Sequence, residues 1–295
     1  MLCAVIGIGI VIGIGGPAHA TELVAANGIT GAGTRSDADG RAWAELGFSA
    51  WEEEAVAWTY LGFGLRLSPQ LEVEAHLPVA YALVEREDSI LLGGAGSGDG
   101  GDDFPAWLGN PYIGVNLLEL REPDLRWRVG AGVTLPVTGI DEFATDGLDF
   151  LPLRAGGNQD PHLWQPGGAS LVGRGRIEID TGQVTLSFDL AAIVMLRVWD
   201  FDVYPSERTT VLFLQPAVEV AGYVSPDTLI GARLPMVWGT LDEDFGASLV
   251  PFLRQELGAF FAEAQFTVNM VGSYGLFSPA DGPIWGMQLG VGARF

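Results

Sequence analysis

The sequence predicts an all-β protein, a closed antiparallel transmembrane β-barrel of about twelve strands. Three observations predict it. Apolar and polar residues alternate with a period of two, the signature of strands with unlike faces. The alternating segments are longer than the roughly five or six residues usual in soluble sheets and match the roughly ten-residue tilted strand that crosses a bilayer. The links between them sort by parity into short turns and long loops.

Composition narrows the class before any strand is placed. The chain has 295 residues, a formal net charge of −22 and 42 glycines, and every basic residue other than histidine is arginine. Such an acidic balance excludes a nucleic-acid partner, whose phosphates need a basic patch. After residue 20 no apolar run is long enough for a transmembrane helix.

Residues 1–20, MLCAVIGIGIVIGIGGPAHA, join an apolar core to a small-x-small cleavage pattern, as a secretory signal peptide does. The expectation is export with cleavage after Ala20, although the usual positive n-region is missing. The sole cysteine, Cys3, lies in this segment, so disulfides cannot hold the exported fold. Residues 21–40 are expected to form a flexible N-terminal segment, too short and glycine-rich for a folded plug domain. The barrel is expected to occupy 41–295.

Strands are expected at 41–51, 55–67, 70–84, 110–120, 125–137, 169–181, 183–198, 209–223, 227–239, 244–255, 258–271 and 284–295. In LEVEAHLPVAYALV, Leu71, Val73, Ala75, Leu77 and Val79 oppose Glu72, Glu74 and His76. In LRWRVGAGVTLPV, Leu125, Trp127, Val129, Ala131 and Val133 oppose Arg126, Arg128, two glycines and Thr134. In VTLSFDLAAIVMLRV, Val184, Leu186, Phe188 and Leu190 oppose Thr185, Ser187, Asp189 and, further on, Arg197. Phe260, Phe266, Val268 and Met270 oppose Glu263, Gln265, Thr267 and Asn269. The segments 55–67 and 244–255 alternate least clearly, which leaves ten strands as the alternative count.

The even-numbered links read SPQ, REPD, TGQ, SPDT and QELG, all with turn-forming residues. Three odd-numbered links are long, and two, near Glu52–Glu54 and Thr240–Asp244, are short. Aromatic residues gather near strand ends, as at a headgroup boundary: Trp51, Trp58, Tyr81, Tyr112, Trp199, Trp238 and Trp285 at one end, Trp43, Trp127, Tyr223 and Phe295 at the other.

The last segment, WGMQLGVGARF, sets Trp285, Met287, Leu289, Val291, Ala293 and Phe295 against Gln288, Gly290, Gly292 and Arg294. Here the chain resembles bacterial outer-membrane β-barrel proteins, whose final strand ends in an aromatic residue after alternate apolar positions. The resemblance implies an outer-membrane location with short periplasmic turns and long external loops. It also implies the barrel-assembly machinery as a partner through the strand ending at Phe295, and lipid and lipopolysaccharide as surroundings. A looser resemblance, in LGNPYIGV followed by VGAGVTLPVTG, is to channel proteins associated with aromatic-hydrocarbon degradation.

A twelve-stranded lumen is wider than side chains fill in eight-stranded barrels. Its lining is expected to be mixed in sign: Arg66, Glu72, Glu74, His76, Arg126, Arg128, Arg174, Arg176, Asp189, Arg197, Glu219, Arg233 and Glu263, with Glu178 and Arg254 as further candidates. Arg66 is expected near Glu72 and Glu74, and Arg174 and Arg176 near Asp189. These charges suit a porin-like channel or transporter for small solutes. They equally suit structural ion pairs in a barrel that binds through acidic external loops. An outer-membrane hydrolase would need a serine and a carboxylate beside His76 or His162. His76 reads instead as a lumen histidine bonded to a carboxylate, and His162, in NQDPHLW, as part of an exposed loop. The stretch GSGDGGDD lacks the ordered ligand spacing of a calcium loop. No enzyme activity, metal or cofactor is expected.

Overall fold

A computed structural model of the chain describes residues 40–51, 54–82, 106–122, 125–137, 160–164, 168–181, 184–198, 210–239, 245–272 and 285–295. The expected signal peptide, the segment 21–39, the acidic stretch GSGDGGDD and Trp199 lie outside the described residues, as do the side chains of Trp51, Tyr81 and Arg197. Within the described residues run β1 (Gly40–Trp51), β2 (Glu54–Ser68), β3 (Leu71–Ala82), β4 (Ala106–Leu108), β5 (Tyr112–Glu122) and β6 (Leu125–Thr134). A short helix, α1 (Pro161–Trp164), precedes β7 (Gly168–Asp180), β8 (Val184–Arg197), β9 (Thr210–Ser225) and β10 (Thr228–Gly239). The chain finishes with β11 (Phe245–Leu257), β12 (Phe260–Val271) and β13 (Trp285–Arg294).

Successive strands pair antiparallel, and β13 pairs back onto β1, so the sheet closes on itself. A closed sheet has no unpaired edge to expose to hydrocarbon. Both β4 and β5 pair with β3, the first along Val79–Tyr81 and the second along Leu71–His76. They therefore share one stave, and the wall has twelve. The two weakly alternating segments are full strands, β2 and β11, which decides twelve against ten.

At the seam, Gly40 N donates to Phe295 O (2.9 Å) and Phe295 N donates to Gly40 O (3.0 Å). The Phe295 ring stacks on Phe63, with centroids 6.2 Å apart. At this end of the barrel, two-residue turns at Pro69–Gln70, Pro226–Asp227 and Gly258–Ala259 join neighbouring strands. Gly258 has φ +70°, a left-handed conformation that suits glycine.

Alternation assigns the two faces as expected. Leu61, Phe63, Ile113, Val129, Leu171 and Leu289 point outward and are between 44% and 54% exposed. An apolar belt this continuous is a liability in water and the normal outer face of a barrel in lipid. The inward face is densely packed. The Trp58 ring lies over Gly47 and the Trp43 ring over Gly62, so close that a Cβ at either glycine would come within 2.0 Å of the indole. Glycine on one strand makes room for an aromatic side chain from the next.

Candidate functional site

The lumen holds two zones. In the half nearer the short turns, charged side chains reach across the barrel to strands that are not their neighbours. Glu72 and Glu74 project from β3, where alternation puts both on the inner face. Arg41 from β1 meets Glu72 at 2.9 Å and Glu74 at 3.7 Å. Arg128 from β6 meets them at 3.0 and 2.8 Å, and Arg174 from β7 meets Glu74 at 2.5 Å. His76 Nε2 lies 4.0 Å from Glu74, its ring edge-on to both Trp43 and Tyr112.

A second cluster is centred on Arg176, which contacts Asp189 (3.3 Å), Glu219 (3.0 Å) and Glu178 (3.5 Å). Arg233 reaches Asp189 at 3.5 Å, and Arg126 holds Glu178 at 2.8 Å and Asp180 at 3.3 Å. Near the short-turn end, Glu256 bridges Arg254 (2.7 Å) and Arg294 (2.9 Å), whose guanidinium carbons lie 4.4 and 5.7 Å from the Phe261 ring centroid. Charges buried to this degree persist only when paired and hydrogen-bonded.

The other half is apolar on one wall. Trp58, Tyr60, Ala80, Tyr112, Val172, Ile193, Met195 and Val211, all on inward positions of β2 to β9, form one cluster with Leu163 and Trp164 of α1. The helix thus sits inside the barrel against this wall. Trp164 Nε1 donates to Tyr60 Oη at 2.7 Å, and the two rings sit 5.5 Å apart. The break between β4 and β5 anchors the helix from the wall. Pro111 has no amide hydrogen to continue the ladder. Asn110 turns away from the ladder, its backbone N donating to Leu163 O (2.7 Å) and its Nδ2 to His162 O (3.0 Å). Gly109 permits this approach, since a Cβ there would lie 2.6 Å from Leu163 O. Asp160, with φ +54°, turns the chain into the helix, and its carbonyl accepts from Leu163 N.

His162 is 0% exposed. Burial pushes its imidazole pKa down to about 3, with the charge of His76 acting in the same direction.

Most lumen residues expected from alternation face inward. Glu72, Glu74, His76, Arg176, Asp189, Glu219, Arg233 and Glu263 are buried, and Arg66, Arg126, Arg128 and Arg174 are half-buried. Arg66 pairs in register with Glu72. The backbone of Arg197 pairs with Gly168.

Three expectations are corrected. Arg174 meets Glu74 rather than Asp189, because it reaches across the lumen instead of along its own hairpin. His162 is not in an exposed loop, since the Asn110 clamp and the apolar wall hold it inside. Trp43, Trp58, Tyr112 and Tyr223 belong to the interior and not to a headgroup belt, Trp43 packing on His76 and Tyr223 on the buried Leu229 and Phe252, whereas Trp238 and Trp285 point outward at 47% and 42%. The parity of Trp58 with Arg66 on β2 was the signal for its direction. Arg41 and Glu45 were missed, although they oppose Ala42, Ala44 and Leu46 on β1.

No protein-family model matches the chain, and no curated protein matches its sequence. The likeness of LGNPYIGV to channels of aromatic-hydrocarbon degradation therefore finds no match; that stretch is the β4–β5 break. Solved structures match in shape. The NanC porin superposes with a TM-score of 0.55 at 7% identity, covering 86% of this chain and 100% of that one. The KdgM porin superposes with a TM-score of 0.50 at 7% identity, covering 86% and 99%. The chain is a closed twelve-stranded antiparallel β-barrel with the fold of outer-membrane porins.

Proposed function

We propose that the protein is an outer-membrane channel for small solutes, closed in this conformation by α1. The observation that carries the reading is the charged lining, in which Arg41, Arg128 and Arg174 converge from three strands on Glu72 and Glu74. A lumen whose only task was to be filled would be at least as stable with apolar side chains, because burying ions carries a desolvation cost that pairing only offsets. Charges that can rehydrate set the field along a pore. The porin fold supports the reading. On it, the short turns face the periplasm and the long loops the exterior, with lipopolysaccharide around the loops. The strand ending at Phe295 is then presented to the barrel-assembly machinery.

The plug gives the channel a closed state. Its removal by Leu163→Ser with Trp164→Ser is expected to turn a silent or low-conductance barrel into one with steady, ion-selective openings in a planar bilayer. Neutralising Arg128 in that background should change the ion selectivity. A correctly folded plug variant with no conductance would overturn the reading. It would favour a binding barrel acting through its external loops, a role to which the tight packing of Glu72 and Glu74, 4% and 2% exposed, also lends support.

A further inference from the structure

Nearly all the buried carboxylates above lie against an arginine, and Glu45 departs from this pattern. It projects inward from the middle of β1 and is 1% exposed. Gln288 Nε2 donates to its Oε2, while its Oε1 is buried with no hydrogen-bond partner, and among the described residues no cation pairs with it. The charges it feels, from Glu263 and Asp160, are both negative. Across β13, Glu263 accepts from Gln265 Nε2 and, unlike Glu45, has an arginine beside it, Arg254, its register partner on β11.

The register sets these four side chains on adjoining inward positions. Glu45 and Glu263 both pair with Gly290, one from each side, and Gln265 pairs with Gln288. No ring covers Gly290, unlike Gly47 and Gly62. A Cβ there would make only ordinary contacts, 3.4 Å to Glu45 Cγ and 3.9 Å to Glu263 Cβ. Two carboxylate–carboxamide pairs therefore face each other over a residue with no side chain. An ionised carboxylate held out of water without a cation is costly, and an all-oxygen set of carboxylates and carboxamides is the donor chemistry of hard cations.

We propose that Glu45, Glu263, Gln265 and Gln288 form a site over Gly290 for a hard divalent cation of the calcium type. The site stands apart from conduction, since it is defined by binding to the folded barrel whether or not the barrel opens. Trp43 and Trp58 flank Glu45 on the inner face, the latter lying over Gly47, and supply the optical handle for a test.

The test is a titration of the folded barrel in detergent micelles with terbium, reading tryptophan-sensitised emission, followed by competition with calcium. Saturable emission that calcium displaces is expected. Glu45→Gln should weaken binding by about tenfold or more, because it removes one of the two charged ligands. Glu263→Gln should weaken it as well and keeps the test decisive if the first variant does not fold. Asp102→Asn with Asp103→Asn, in the acidic stretch, should leave it unchanged. Binding in Glu45→Gln and Glu263→Gln equal to that of the native barrel, or a signal lost only with the loop variant, would overturn the site. Because the measurement needs no open pore, terbium binding by a barrel whose folded plug variant stays silent would overturn the channel alone, and a conducting plug variant that binds no terbium would overturn the site alone.

Discussion

Acidification should release the plug, and His162 sets the size of the effect. In the plugged state its imidazole is wholly buried and neutral, with its pKa lowered to about 3, whereas an imidazole in water has a pKa of about 6.5. The released state therefore takes up a proton that the plugged state refuses. Plug stability is complete above about pH 6.5 and is lost as the pH falls toward 3. Between pH 7 and pH 5 the loss comes to about 2 kcal/mol, roughly a 25-fold rise in the opening equilibrium. Hydrogen exchange of the peptide covering 160–164, corrected for the intrinsic pH dependence of exchange, reads that equilibrium directly. His76 and Asp160 lie close by, so His162→Phe, a buried ring without a basic nitrogen, is the control and should flatten the response. An opening equilibrium that does not change between pH 7 and 5, or that rises equally in His162→Phe, would refute the reasoning.

Two further outcomes test the faces and the ion network. Leu190, in the middle of β8 and 53% exposed on the outer face, should lose about 2 to 4 kcal/mol of stability as Leu190→Arg if it lies near the bilayer midplane, measured by denaturant titration in liposomes. Tolerance of that change would count against the lipid-facing belt. Arg176→Met leaves Asp189 and Glu219 short of their shared cation and should cost about 3 to 5 kcal/mol. The triple variant with Asp189→Asn and Glu219→Gln should recover part of the loss, and the same titration would show whether it does.

How much of this was legible in the chain differs between wall and lumen. The wall was nearly all there. A period of two needs only neighbouring residues, so Leu71 to Val79 against Glu72 to His76 reveals strand, face and approximate ends without knowledge of any partner. The short turns follow from the same local chemistry, and so does the strand count apart from the weakly alternating 55–67 and 244–255, which left ten strands open until β2 and β11 were seen as full staves. The fourth stave was the exception, because Pro111 and Asn110 interrupt it for the sake of a contact with α1, some fifty residues away in sequence.

Alternation says that a side chain points inward, but not what it meets there. That Glu74 gathers arginines from β1, β6 and β7, or that Glu45 and Glu263 converge over Gly290, depends on closure, which brings the first and last described strands side by side at the β1–β13 seam. The direction of NQDPHLW was equally out of reach. Read alone it is a polar, glycine-flanked loop, and only an apolar wall assembled from inward positions of β2 to β9 gives Leu163 and Trp164 a reason to fold inside. The sequence by itself thus determined the barrel wall, whose order is local and periodic. The tertiary structure decided the contents of the lumen, because those contacts join residues distant in the chain whose energies exist only once the sheet has closed.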